Sequence, residues 1–100
     1  MLSYYYYLTH NHMNNIINPF IDNVSELKKN LPLRLSTIEK RDLLRFKTHK
    51  LRRMCKSGEI DAVESNKSMH NKGRMWKITP QAILKYHNPG LNIESYINTL

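Results

Sequence analysis

Apolar residues recur at helical spacing from position 18 to 31: Phe20, Val24, Leu27 and Leu31 fall on one stripe. That spacing predicts an amphipathic helix over NPFIDNVSELKKN (18–30). Asn18 suits the N-cap and Pro19 the first helical position, where a missing N–H costs nothing. Asp22 and Glu26 come early and Lys28 and Lys29 late, matching the helix dipole, and Pro32 stops the run. A second helix is predicted over STIEKRDLLRF (36–46), with Ile38, Leu43 and Leu44 as its apolar contacts. Ser36 or Thr37 caps it, and Ser36 with Glu39 has capping-box spacing. THKLRRMCKS (48–57) is a third helix with two distinct faces. At about 100° per residue, Arg52, Arg53 and Lys56 lie within about 60° of His49, while Leu51, Met54 and Cys55 lie within about 60° of the opposite direction. One face is basic and the other is built to be buried, and Gly58 follows as a C-terminal cap.

The period then changes to two. RMWKIT (74–79) places Trp76 and Ile78 on one side and Met75 and Lys77 on the other, and EIDAVES (59–65) supplies a partner strand. Between them, NKSMHNKG (66–73) is polar and basic, with Asn71 and Gly73 as turn formers. The expectation is a hairpin with a long cationic tip, with Trp76 as its core anchor. Thr79 and Pro80 open another helix over TPQAILKY, HNPG is a turn, and LNIESYINTL adds a last helix with Ile93, Ile97 and Leu100 on one side. Residues 1–17 carry no sustained period and are expected to be a poorly ordered tail, with an edge strand at Tyr4 to Tyr7 as an alternative. Met13 is a second candidate start.

Charge sharpens this picture. The chain of 100 residues carries a net charge of +8, and its placement is uneven. Residues 34–77 hold 13 Lys and Arg against 5 Asp and Glu, while the segments on either side each sum to zero. A positive field confined to one segment attracts polyanions. The chain has no apolar run long enough for a membrane span, and its start resembles no signal peptide. One cysteine, Cys55, excludes an internal disulfide and fits a reducing compartment, so a cytoplasmic location is expected.

Catalysis finds little support. No paired carboxylates stand at an acid/base spacing and no Gly-rich phosphate loop is present. His10-Asn11-His12 could bind a metal weakly, though a bare His-x-His in such a tail is much more often nothing, and Cys55 falls on the apolar face of its helix, as a buried structural thiol would. No catalytic residue, metal or cofactor is expected. What remains is a helix, a tight turn, a basic helix and a basic-tipped hairpin. A helix about 10–12 Å across fits the major groove of duplex DNA, about 12 Å wide. Arginine reads guanine with two bonds at once, and lysine serves phosphate as a point charge.

Residues 35–86 resemble the excisionase-type winged helix-turn-helix domain, a relative of the DNA-binding domain of mercury-resistance-type (MerR-like) regulators. The matching stretches are LSTIE…LL (35–44), KTHKLRRMCKSGEI (47–60) and RMWKITPQAILKY (74–86), with Gly58-Glu59-Ile60 and Trp76-Lys77-Ile78 at the family's intervals. The resemblance implies an α+β, mostly helical fold: a winged helix-turn-helix with a two-stranded wing and flanking helices. It implies that His49, Lys50, Arg52, Arg53 and Lys56 face the major groove, and that Lys67, Lys72 and Arg74 serve the wing. Two positions depart from the family, which commonly has a small residue where this chain has Arg41 and a glycine where it has Arg45. Arg41 is then expected to extend outward along the surface, and Arg45 and Lys47 to add phosphate contacts from the turn.

The expected organisation is a tail (1–17), an N-terminal helix (18–33), the DNA-binding domain (34–87) and a C-terminal extension (88–100). The expected function is double-stranded DNA binding, in excisionase-like control of recombination or in transcriptional regulation from a mobile element, with a homodimer or cooperative multimer on DNA. KLRRMCKSGEI also resembles the S4-type RNA-binding motif, but the long hairpin ending in Trp76-Lys77-Ile78 replaces that motif's short turn. A protein-interaction antirepressor is a third reading.

Overall fold

A computed structural model describes residues 15–65 and 75–100. Leu33 and Arg34 form a first short strand, β1 (Leu33–Arg34), which runs directly into the helix α2 (Leu35–Lys40). Ahead of it lies α1 (Val24–Lys29), and after it come α3 (Thr48–Ser57), β2 (Val63–Ser65), β3 (Met75–Ile78), α4 (Pro80–His87) and α5 (Ile93–Asn98). The class is α+β: five helices and one antiparallel three-stranded sheet of order β1-β3-β2 among the described residues. The register pairs Leu33 with Ile78 and Arg34 with Lys77 on one side of β3, and Val63 with Lys77 and Glu64 with Trp76 on the other.

Three expectations need correction. The first helix starts at Val24 rather than Pro19. Asn18 does accept a hydrogen bond from the Phe20 N–H (2.8 Å), but that closes a turn, and Asn23 is the residue that caps the helix by accepting from the Glu26 N–H (3.1 Å). The turn drops the Phe20 ring into the core, while Leu31, expected on the stripe, lies beyond Asn30 and is exposed. Asn30 ends the helix in the left-handed region at φ 56°, before Pro32 is reached.

The second helix is six residues long and no side chain caps its start, because Leu35 enters it straight from β1. It stops at Lys40: Asp42 and Arg45 both take positive φ, and Leu43 and Leu44 reach the core from an irregular turn. The sheet has a third strand, since β1 adds to the free edge of β3; two residues are too few to show a period.

α3 spans the expected residues, and so does the start of α4, where Thr79 caps by accepting from the Ala82 N–H (3.2 Å) with Pro80 in the first turn. Leu27, Ile38, Leu51, Ile78, Ile83 and Leu84 are fully buried and come from every layer, so α1 shares one core with the sheet and α2–α4. Gln81 fastens α1 to α4: its N–H donates to Asn30 Oδ1 (2.9 Å) and its side-chain amide to the Leu27 carbonyl (3.2 Å). Of the expected tail, only residues 15–17 are described, and they are tied down. Ile16 packs against the core, and the Asn88 amide both accepts from the Ile17 N–H (2.9 Å) and donates to its carbonyl (2.8 Å). Tyr4 to Tyr7, Met13 and the expected hairpin tip at 66–73 lie outside the described residues. No helix among the described residues is long and apolar enough to cross a membrane.

Candidate nucleic-acid interface

α3 is held at both ends by groups that leave its outer face free. At its start, the Glu39 carboxylate accepts from the Thr48 N–H and from the Thr48 hydroxyl, both at 2.6 Å. Glu39 therefore caps α3 across the turn instead of closing a box with Ser36 in its own helix. The Thr48 hydroxyl and N–H hold its carboxyl below the usual carboxylate range against a small opposing desolvation, helped by the nearby charges of Lys47 and His49. At the far end, Gly58 sits at φ 81°, and the Glu59 N–H donates back to the Met54 carbonyl (3.0 Å), the reverse turn that glycine favours.

Between these ends, Leu51, Met54 and Cys55 are buried and His49, Arg52, Arg53 and Lys56 are exposed. Burial pushes the Cys55 thiol up, which disfavours the thiolate and suits a structural role. Arg52, Arg53 and Lys56 make no ion pair with any described residue. The four exposed residues recur at i, i+3, i+4 and i+7, so they form one continuous basic face about two turns long.

The other expected site residues divide. Lys50 is exposed but lies on the flank of α3, its ammonium 5.6 Å from the centre of the Phe46 ring, which in turn meets Tyr86 edge-on at 6.1 Å. Lys47 precedes the helix, its carbonyl accepting from the Leu51 N–H (2.9 Å) while its side chain stays exposed. Arg45 is exposed with φ 61°, a left-handed conformation that glycine adopts at lower cost. Lys67, Lys72 and Arg74 lie outside the described residues, as do His10 and His12. Arg41 turns outward, as expected, and finds a partner there. Its guanidinium makes two parallel bonds to Glu26 (2.7 and 2.9 Å) and lies 6.0 Å from the Phe20 ring centre.

Sequence reasoning missed two residues. Arg34 lines a shallow groove together with Arg52, Ser36, Thr48 and Trp76. Its strand is too short to carry a pattern, so no local signal marks it. The spacing of Glu39 to Ser36 points to a box within its own helix, and nothing in its spacing to Thr48 marks a cap across a turn. A larger cleft, about 530 Å3, is lined by Glu59, Asp61, Lys85 and Tyr86 among others; its mixed charge offers a polyanion no advantage. No group of three His, Cys, Asp or Glu among the described residues could hold a metal ion.

No protein-family model, curated protein or solved structure matches this chain.

Proposed function

We propose that this chain binds double-stranded DNA, with α3 as the recognition helix of a winged helix-turn-helix. The observation that carries the reading is the outer face of α3: His49, Arg52, Arg53 and Lys56, all exposed, with the three certain cations unpaired among the described residues. A solvated surface helix usually interleaves acids with its bases, whereas this helix contains none. α2 packs against it, Thr48 and Arg52 share a groove with Met75 and Trp76 of β3, and a wing beside the recognition helix would reach the next stretch of backbone. The positive charge confined to residues 34–77 supports the same reading. Lys47 and Arg45 would add phosphate contacts from the turn, and Lys67, Lys72 and Arg74 from the wing.

The resemblance to excisionase-type domains supplies the biological role proposed here: control of recombination direction or transcription from a mobile element, in the cytoplasm on the nucleoid. Several copies would bind adjacent sites or pair as a homodimer. Arg45 fits this resemblance despite its identity, because the backbone keeps the positive φ that the family's glycine would adopt.

Competition binding tests the reading, with duplex DNA, structured RNA and single-stranded DNA as competitors at moderate salt. Duplex DNA is expected to compete best, with log affinity falling steeply against log salt as counterions are released. Preference for structured RNA would favour the S4-like reading, and no preference among the three would leave a protein-interaction role.

A further inference from the structure

We infer that the groove between β1, α3 and Trp76 seats a single backbone phosphate of the bound duplex, with Arg34 as its principal ligand. The inference rests on the DNA-binding reading above and adds to it a site outside the recognition face.

The groove has a volume of about 260 Å3; much of its lining is apolar, and the charged residues among the described ones that line it are both cationic. Arg34 and Arg52 enter it from different elements, Arg34 from β1 and Arg52 from α3. Both arginines line one small groove, and neither has a carboxylate partner among the described residues. Among the described residues that line it, none is acidic. Ser36 adds a hydroxyl and Trp76 an indole N–H, which can only donate, and neither side chain has a hydrogen-bond partner among the described residues. Thr48 also borders the groove, but its hydroxyl proton is committed to Glu39. The unsatisfied groups are thus mainly donors, and the chemistry that answers several donors and two positive charges at once is an oxyanion of phosphate type.

Position chooses the source. Arg52 belongs both to the groove and to the basic face of α3, so a strand passing that face continues into the groove without a break. β1 is hydrogen-bonded to β3 through Arg34 and Lys77, which fixes the Arg34 backbone relative to the sheet. A phosphate held there would set how far α3 can slide along the major groove, which is the positioning role of backbone contacts.

The test uses the full chain and a mixed-sequence duplex of about two helical turns. Wild type, Arg34→Ala, Arg34→Lys and the control Lys29→Ala, an exposed lysine on α1, are titrated over a range of salt. Arg34→Ala is expected to lower the slope of log affinity against log salt by about 0.9, the loss of one phosphate contact, and Arg34→Lys to restore it. Lys29→Ala is expected to leave it unchanged. Methylphosphonate substitution, one position at a time, should find a site where neutralising the DNA weakens wild type and leaves Arg34→Ala unaffected. Trp76, the one tryptophan in the chain, reports the same event by its fluorescence, and inorganic phosphate alone should not reproduce the change. Duplex binding with an unchanged slope in Arg34→Ala overturns the inference and leaves the DNA reading intact. A Trp76 response to inorganic phosphate as strong as that to DNA overturns it in favour of a free-anion site. Absence of duplex binding by wild type removes the DNA reading itself.

Discussion

The pair Arg41–Glu26 joins α1 to the turn that delivers α3, and a double-mutant cycle of Arg41→Ala and Glu26→Gln measures how firmly. The Arg41 side chain is 39% exposed and the Glu26 side chain 20%, with bonds of 2.7 and 2.9 Å. Unit charges about 4 Å apart attract by about 1 kcal/mol in water and about 4 kcal/mol at an effective dielectric of about 20. With more than a third of the Arg41 side chain in solvent, screening and side-chain ordering bring the coupling down to about 0.5–1 kcal/mol, the upper part of the range for surface pairs because the geometry is bidentate. Arg41→Ala also removes the cation above Phe20, about 0.5 kcal/mol more. The expected losses are therefore about 1–1.5 kcal/mol for Arg41→Ala and about 0.5–1 kcal/mol for Glu26→Gln, with the double variant close to Arg41→Ala alone. Urea denaturation at neutral pH reads this as a midpoint lowered by roughly 1 M for Arg41→Ala, at a slope near 1 kcal/mol per M.

The same pair dictates an acid response. Arg41's hydrogen bonds hold the Glu26 carboxyl below its ordinary range; desolvation opposes them, and the guanidinium's charge adds a smaller lowering. The folded chain then binds fewer protons here than the unfolded chain does. The contribution is complete above the unfolded pKa of about 4.3 and is lost as pH falls through the lower folded value. Glu26→Gln should flatten that acid limb. A coupling within about 0.2 kcal/mol of zero at low salt, or one that about 1 M salt leaves untouched, would refute the argument.

Other outcomes follow from the site. Arg53→Ala should cost about 1–3 kcal/mol on a cognate duplex and relax its specificity if Arg53 reads a guanine; equal losses on cognate and random DNA would assign it to phosphate. Arg45→Gly removes a left-handed penalty of about 1–2 kcal/mol and adds about 0.4–1 kcal/mol of unfolded-chain entropy. It should leave thermal stability unchanged or slightly raised while weakening DNA binding, and a clear loss of stability would contradict the backbone account. Glu39→Gln keeps an acceptor but drops the charge, so amide exchange at Thr48 should speed up modestly, and more so in Glu39→Ala; because the Glu39 pKa is lowered on folding, the wild-type cap is retained above the ordinary carboxylate range and lost as pH falls below it, which an NMR titration of the Thr48 amide can follow.

What the chain announces locally and what it hides separate cleanly by mechanism. α3 has ten residues, two faces of opposite character and a glycine stop, so three independent signals agree on its bounds. Local spacing points to Asn18 as the cap of α1, yet Asn23 caps it while Asn18 closes the turn that buries Phe20, an outcome that depends on tertiary contact. Leu43 and Leu44 satisfied a helical period, yet they reach the core through a turn containing two positive φ angles, which no periodicity records. β1 exists only because β3 has a free edge for it. The basic face of the candidate site was legible because it is periodic, whereas Arg34 was not, because its place depends on which strand it pairs with. Glu39 was visible as a capping residue but attached to the wrong helix.

The division of labour on α3 has a consequence for how such a chain can change over generations. Its inward residues, Leu51, Met54 and Cys55, carry its share of the core, and its ends are fixed by Glu39 and Gly58. The four outward side chains hold nothing in place. Substitutions at His49, Arg52, Arg53 and Lys56 therefore meet almost no folding constraint, and surface changes of that kind typically fall within about 0.5 kcal/mol of neutral. A lineage carrying this chain could change the chemistry of this face, residue by residue, without passing through unfolded intermediates.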